Sequence, residues 1–273
     1  MAGRLFSPRN WMLHATIPVL LCLSGASFAG GPVLDRIVDA GVLKVAMSGN
    51  QQPFNFVYGK RERLVGYDVD LARELARVIN VELELVPVRF DDLMDALNDG
   101  RADMVISGMT ITATRTQEVS FVGPYVLSGK SLLARGESAA NRSSPNDFND
   151  SSIKLAALKG STSESLVQQQ LPESELVPVA DYDEGLKLLM GDEIDGMVAD
   201  MPILAYTKNR YRDVNLQLIA PPLSLEPMGI VIDAGDPQLE NFLRNYLTVF
   251  EKTGFLMRLY ERWFEVGNSD LYR

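Results

Sequence analysis

Histidine and cysteine are almost missing from this chain. Its 273 residues include one of each, and both, His14 and Cys22, fall within the first thirty positions. That stretch carries Arg4 and Arg9 but no acid, runs apolar from 11 to 28, and ends Ser27-Phe28-Ala29 with small residues at alternate positions. A basic start, an apolar middle and a small-residue end are the layout of a secretory signal peptide. A membrane anchor is the rival reading, but the run is barely long enough to span and is interrupted by His14, Thr16, Pro18, Ser24 and Ser27. Lipid attachment at Cys22 is a third, opposed by Leu21 standing where such a site wants a small residue. Export with removal of residues 1–29 is the expectation.

Cleavage there leaves 244 of the 273 residues and takes two arginines, so the formal charge moves from −10 to −12. With no Cys and no His, the mature chain has no structural disulfide, thiolate nucleophile, Ser-His-Asp triad, Cys/His zinc site or histidine base. Any chemistry rests on Asp, Glu, Arg, Lys, Tyr, Ser or Thr, and the sequence calls for no cofactor and no metal. The acidity argues against nucleic acid, whose phosphates need a basic stripe. Acidic solubility in an exposed compartment is the simpler account.

What is present alternates short apolar runs with amphipathic stretches, the pattern of α/β architecture. The spacing predicts strands at 42–47, 82–88 and 103–107. Between them it predicts a helix capped by Asp68 with Ala72, Leu75, Ala76 and Ile79 on one face, and a helix capped by Asp91 or Asp92 and closed by Gly100. The pattern recurs with strands at 155–158, 176–179 and 196–199 and helices at 161–170 and 184–190. Residues 135–152, rich in Ser, Asn, Asp and Gly, read as a surface loop. A strand at 228–232, a helix at 237–250 and a last aromatic helix through Trp263 close the chain; that aromatic spacing is the spacing of a core face.

One stretch echoes another. Residues 97–107 and 189–199 both read as helix end, polar turn, aspartate (Asp103, Asp195) and buried strand. Polar residues follow each strand, Ser107, Gly108 and Thr110 in one half and Asp200 in the other, and strand carboxyl ends are where α/β sheets place ligands. Thr112 reads as a helix N-cap that sets Arg115 in a first turn, where a cation opposes the helix dipole and an anionic partner would relieve it. Ser161-Thr-Ser-Glu164 reads as a capping box whose free amides can meet a carboxylate. Asp200 ahead of Met201-Pro202 reads as an N-cap.

Five passages carry a family likeness: Gly41-Val-Leu-Lys-Val-Ala46; Leu64-Val-Gly-Tyr-Asp68-Val-Asp70-Leu-Ala72; Gly100-Arg-Ala-Asp103 running into Ser107-Gly-Met-Thr110-Ile-Thr112-Ala-Thr-Arg115; Val119-Ser-Phe-Val-Gly-Pro-Tyr125; and Ile194-Asp195-Gly-Met-Val-Ala-Asp200. In order and spacing the mature chain resembles the family 3 extracellular solute-binding proteins, the polar amino-acid receptors of ABC importers. The resemblance implies a type II periplasmic-binding-protein fold, two α/β lobes joined by two hinge strands, with a ligand between lobes that close on it. It places the first lobe at 30–126 and 225–273, the second at 127–224, and the protein in the periplasm as a monomer that serves a membrane permease.

By the same resemblance, Arg115 pairs with the ligand α-carboxylate, a bidentate geometry that Lys reproduces poorly, and Asp200 accepts from the ligand α-ammonium. Ser107, Thr110, Ser161 and Thr162 add polar contacts, and Phe90 supplies an apolar wall or a core side chain. Gln51 stands where many members carry an aromatic that sandwiches the ligand, and Ser48 where receptors for cationic ligands often present an acid. Two other functions fit the likeness: an enzyme resembling the cyclohexadienyl dehydratases, with Glu164 and Glu226 as candidate acids, and a soluble sensory ligand-binding protein.

Overall fold

A computed structural model describes residues 33–140 and 142–265; the leader expected at 1–29 lies outside the described residues. Two five-stranded sheets form the frame. The first orders Glu82–Pro87, Val42–Met47, Met104–Val105, Glu226–Ile232 and Ser120–Ser128, and the second orders Glu175–Val179, Lys154–Leu158, Gly196–Asp200, Lys130–Arg135 and Leu216–Ile219. In each, three strands are parallel, with the earliest in the chain between the other two, and two antiparallel strands complete one side. The parallel strands are the short apolar runs of the sequence, and their inner residues Val45, Ala46, Met47, Ala156, Ala157 and Val198 are buried as strands covered on both faces require. A small antiparallel sheet, Asn50–Gln51, Asn55–Tyr58 and Arg63–Val65, sits on the first half.

Helices follow the predicted amphipathic stretches. Tyr67–Ile79 buries Ala72, Leu75 and Ala76 and stops at left-handed Asn80. Its N-cap, however, is Gly66 and not Asp68. A Cβ at Gly66 would lie 2.1 Å from the Phe54 carbonyl oxygen, so only glycine fits that approach, and Asp68 moves inward, where it is fully buried. Asp92 takes the N-cap position of Leu93–Asn98 without a side-chain cap bond, after a 3₁₀ turn at Phe90–Asp92. The closing aromatic helix, Phe255–Phe264, packs Phe264 against Tyr67 and Phe54, each at 5.0 Å between ring centroids, the core role its spacing suggested.

The surface loop expected at 135–152 is largely structured. It holds a short helix, Glu137–Ala140, and a 3₁₀ turn, Pro145–Phe148, that is closed by a reciprocal Ser144–Asp147 capping box. The polar residues satisfy the caps, which lets Ala139, Phe148 and Ile153 sink into the core of the second sheet.

The chain passes from the first sheet to the second at Gly129, between Ser120–Ser128 and Lys130–Arg135, and returns between Ile219 and Glu226. The two passages touch: Leu223 N donates to the Lys130 carbonyl at 2.7 Å, and a Cβ on Gly129 would lie 2.6 Å from the Ser224 carbonyl oxygen.

Candidate functional site

The loops after the parallel strands of the two sheets meet. Ser107 to Thr110 and Arg115 follow Met104–Val105, while residues 159–162 follow Lys154–Leu158 and Asp200 ends its own strand. Arg115 reaches across this meeting. One guanidinium nitrogen donates to the Thr110 carbonyl and the other to the Gly160 carbonyl, each at 3.0 Å, with the guanidinium carbon 5.9 Å from the centre of the buried Phe90 ring. Burial pulls the Arg115 pKa below its ordinary value, and the nearby Glu226 and Asp200 carboxylates oppose that. Thr112 Oγ1 accepts from the Arg115 amide at 3.2 Å as a cap does, but only a three-residue 3₁₀ turn follows, Arg115–Gln117. A turn that short has almost no macrodipole, so carbonyl contacts, and not a dipole conflict, orient Arg115.

Asp200 is the opposing group. Lys130 Nζ donates to its Oδ2 at 2.6 Å, and both residues are 2% exposed. Its Oδ1 is buried beside the Ser128 hydroxyl, and neither atom makes a hydrogen bond of full geometry among the described residues. Burial raises the Asp200 pKa, with the Glu226 charge adding to the rise, while Lys130 and the nearby Ser128 hydroxyl oppose it. Asp200 occupies the N-cap position of Met201–Arg210 but makes no side-chain cap bond, so its carboxylate is not spent on the helix.

Hydroxyls join the halves. Thr162 Oγ1 donates to Glu226 Oε2 at 3.1 Å and lies 3.3 Å from Thr110 Oγ1; its one proton goes to the glutamate, so Thr110 donates to Thr162. Ser224 Oγ donates to Glu226 Oε1 at 2.5 Å. Ser161 caps Thr162–Gln170 by accepting from the Ser163 and Glu164 amides. Half of the expected capping box is displaced, because Glu164 Oε2 accepts from Gly160 N at 2.7 Å and not from Ser161. At the rim, Lys159 pairs with Asp91 at 3.1 Å, and the Tyr206 ring lies 6.0 Å from that of Phe56.

Gln51 is turned into the first half. It donates to Ser48 Oγ at 2.8 Å and to Ser107 O and Oγ at 3.3 Å. This belongs to a buried network: Asn55 Nδ2 and the Tyr125 hydroxyl donate to Asp68 at 2.8 and 3.0 Å, and Gly108 N donates to the Tyr125 oxygen at 3.1 Å. Burial lifts the Asp68 pKa to about 6 against those two donors. The network fixes the Ser107–Gly108 backbone that faces the second half.

Sequence reasoning missed Lys130 as a site residue; its signal was a lysine at the head of the strand Lys130–Arg135, just before the apolar run Leu132-Leu133-Ala134. It also missed the contacts of Asp91 with Lys159. Among the described residues, no group of three His, Cys, Asp or Glu side chains is placed to hold a metal ion.

Residues 43–266 match the model of the bacterial extracellular solute-binding proteins, family 3, and the chain belongs to that family. It is 25% identical over 242 residues to the L-cystine-binding protein TcyJ of Escherichia coli (strain K12), which covers 89% of this chain and 90% of that protein. Two solved structures are similar throughout. The ancestral amino acid-binding protein AncCDT-1, a precursor of cyclohexadienyl dehydratase, is 34% identical with a TM-score of 0.80 over 85% of this chain and 99% of its own. A putative ABC transporter binding component from Wolinella succinogenes, complexed with lysine, is 31% identical with a TM-score of 0.80 over the same shares. The fold is therefore the two-lobed type II periplasmic-binding-protein fold, one sheet to each lobe.

Proposed function

We propose that this chain is a periplasmic receptor that takes up an amino acid or similar small zwitterion between its lobes, closes on it and delivers it to the permease of an ABC importer. Arg115 binds the ligand carboxylate and Asp200 Oδ1 accepts from its ammonium. Ser107, Thr110, Ser161 and Thr162 line the contact and Phe90 backs Arg115. Gln51 acts through Ser48 and Ser107, as a positioning residue. The lobes are 30–126 with 225–273, and 127–224; the protein works as a monomer.

The observation that carries this reading is the pairing of opposites across the lobes: a half-buried arginine from one and, from the other, a buried carboxylate with one oxygen that makes no well-formed hydrogen bond among the described residues. A buried acceptor without a donor costs stability, and a ligand ammonium removes that cost. The names of the relatives agree with amino acids as the class of ligand. Isothermal titration of the exported protein against the common amino acids tests it. Saturable one-to-one binding, lost in Arg115→Ala, is expected. No binding by any amino acid, or turnover of prephenate, overturns it.

A further inference from the structure

We propose that Lys130 sets the charge class of the ligand: by holding one oxygen of Asp200 it suits the cleft to α-amino acids with uncharged side chains and disfavours arginine and lysine. This rests on the receptor reading above. What decides is the charge balance among three buried charges, those of Lys130, Asp200 and Glu226, and the half-buried Arg115. Arg115 and Lys130 bring two positive charges, and Asp200 and Glu226 bring two negative ones, all coupled through Arg115 and the Lys130–Asp200 contact. A zwitterion leaves that balance unchanged, whereas an added side-chain charge does not, and unbalanced charge away from water is expensive.

The acceptors tell the same story. Asp200 has one oxygen on Lys130, and the other, beside the Ser128 hydroxyl but without a well-formed bond to it, can take a single ammonium. Each Glu226 oxygen already accepts from a hydroxyl, that of Ser224 or of Thr162, and its charge enters the balance above. Asp91 at the rim is held by Arg89 and Lys159, and Asp68 spends its two oxygens on Asn55 and Tyr125. The polar side chains that the first lobe adds nearby, Ser48 and Gln51, are uncharged and bonded to each other. A second ligand cation thus finds its counter-ion already matched by Lys130.

The test is a titration panel on the exported protein, dialysed free of co-purified solute, with the twenty common amino acids and ornithine. The wild type is expected to bind an uncharged amino acid at least about tenfold more tightly than arginine, lysine or ornithine. Lys130→Met opens Asp200 Oδ2 and should move that ratio at least about tenfold toward the cationic ligands, while Lys130→Arg keeps the wild-type order. Should Lys130→Met not fold, Lys130→Gln, which keeps a donor on Asp200 without the charge, carries the same expectation. A wild type that prefers any charged amino acid, or a Lys130 variant that weakens all ligands alike, overturns this proposal and leaves the receptor standing. Absence of binding by every amino acid overturns both.

Discussion

Asp103 and Asp195 make the same pair of bonds in the two lobes. Asp103 accepts from the Lys44 amide at 2.7 Å while its own amide donates to the Lys44 carbonyl at 2.9 Å. Asp195 does both with Lys154, each at 2.9 Å. In each lobe the aspartate ahead of the third parallel strand thereby ties it to the earliest one. Beyond this the two differ, Asp103 pairing with Arg36 at 2.9 Å and Asp195 accepting from Ser138 Oγ at 2.6 Å.

Asp103→Ala should lower stability by about 1–3 kcal/mol, because it strands a part-buried strand amide, and Asp195→Ala by less, because the Lys154 amide it leaves is exposed and water can replace the partner. Urea unfolding measures the loss. The rank order of ligands should stay as in the wild type, since neither aspartate faces the cleft.

Arg115→Ala should reduce ligand affinity at least about a hundredfold, and Arg115→Lys should recover little of it, because an ammonium cannot copy the two-pronged donor. Titration gives the affinities. A circular dichroism spectrum unchanged from the wild type shows that the loss lies in binding, and an affinity within about threefold of normal would sink the carboxylate assignment.

Asp68 predicts a pH dependence. Its pKa is about 6 in the folded protein against about 3.9 in the unfolded chain, so folding favours its protonated form. This group therefore supports the fold most below about pH 4, and its support is lost as pH rises through about 6. The loss amounts to about 3 kcal/mol. Urea unfolding at pH 5 and pH 7.5 should show a decline in the wild type that is smaller in Asp68→Asn, whatever the substitution itself costs. Equal slopes in the two proteins would contradict it.

The rim pair Lys159–Asp91 is a weaker contact between the two lobes. Lys159 is more than half exposed, and pairs of that kind contribute about 0.2–1 kcal/mol. Lys159→Ala should weaken ligand binding by no more than about fivefold at low salt, and the difference should fade when titrations are repeated in 0.5 M salt, about the range where surface charges are screened.

Phe148→Ala should cost about 3–5 kcal/mol, the usual result of emptying a buried aromatic site. A value under about 1 kcal/mol would mean that the segment around it is the plain loop its composition suggests.

That segment shows where the sequence stops being readable. Strands such as Val42–Met47 and helices such as Pro237–Lys252 are legible because apolar spacing is local and the core answers to it directly. Residues 135–152 hide a buried phenylalanine among polar neighbours whose job is to cap turns, and composition alone cannot separate a cap from a solvated side chain. Asp68 misled for a related reason: a carboxylate near a helix start is normally a cap, and only the close approach of Gly66 to Phe54 turns it inward. In the site, Arg115 and Asp200 stood out by motif, whereas Lys130 did not, since its partner lies seventy positions away and its strand otherwise reads as core.

Gly129 bears on how the lobes can move. With no room for even a methyl group between it and the Ser224 carbonyl, the two connecting passages lie side by side like the knuckles of one door hinge. Two strands held that close oppose sliding past each other. Alanine there would act as a shim, prying the passages apart and changing the resting angle of the lobes while leaving every ligand contact chemically intact.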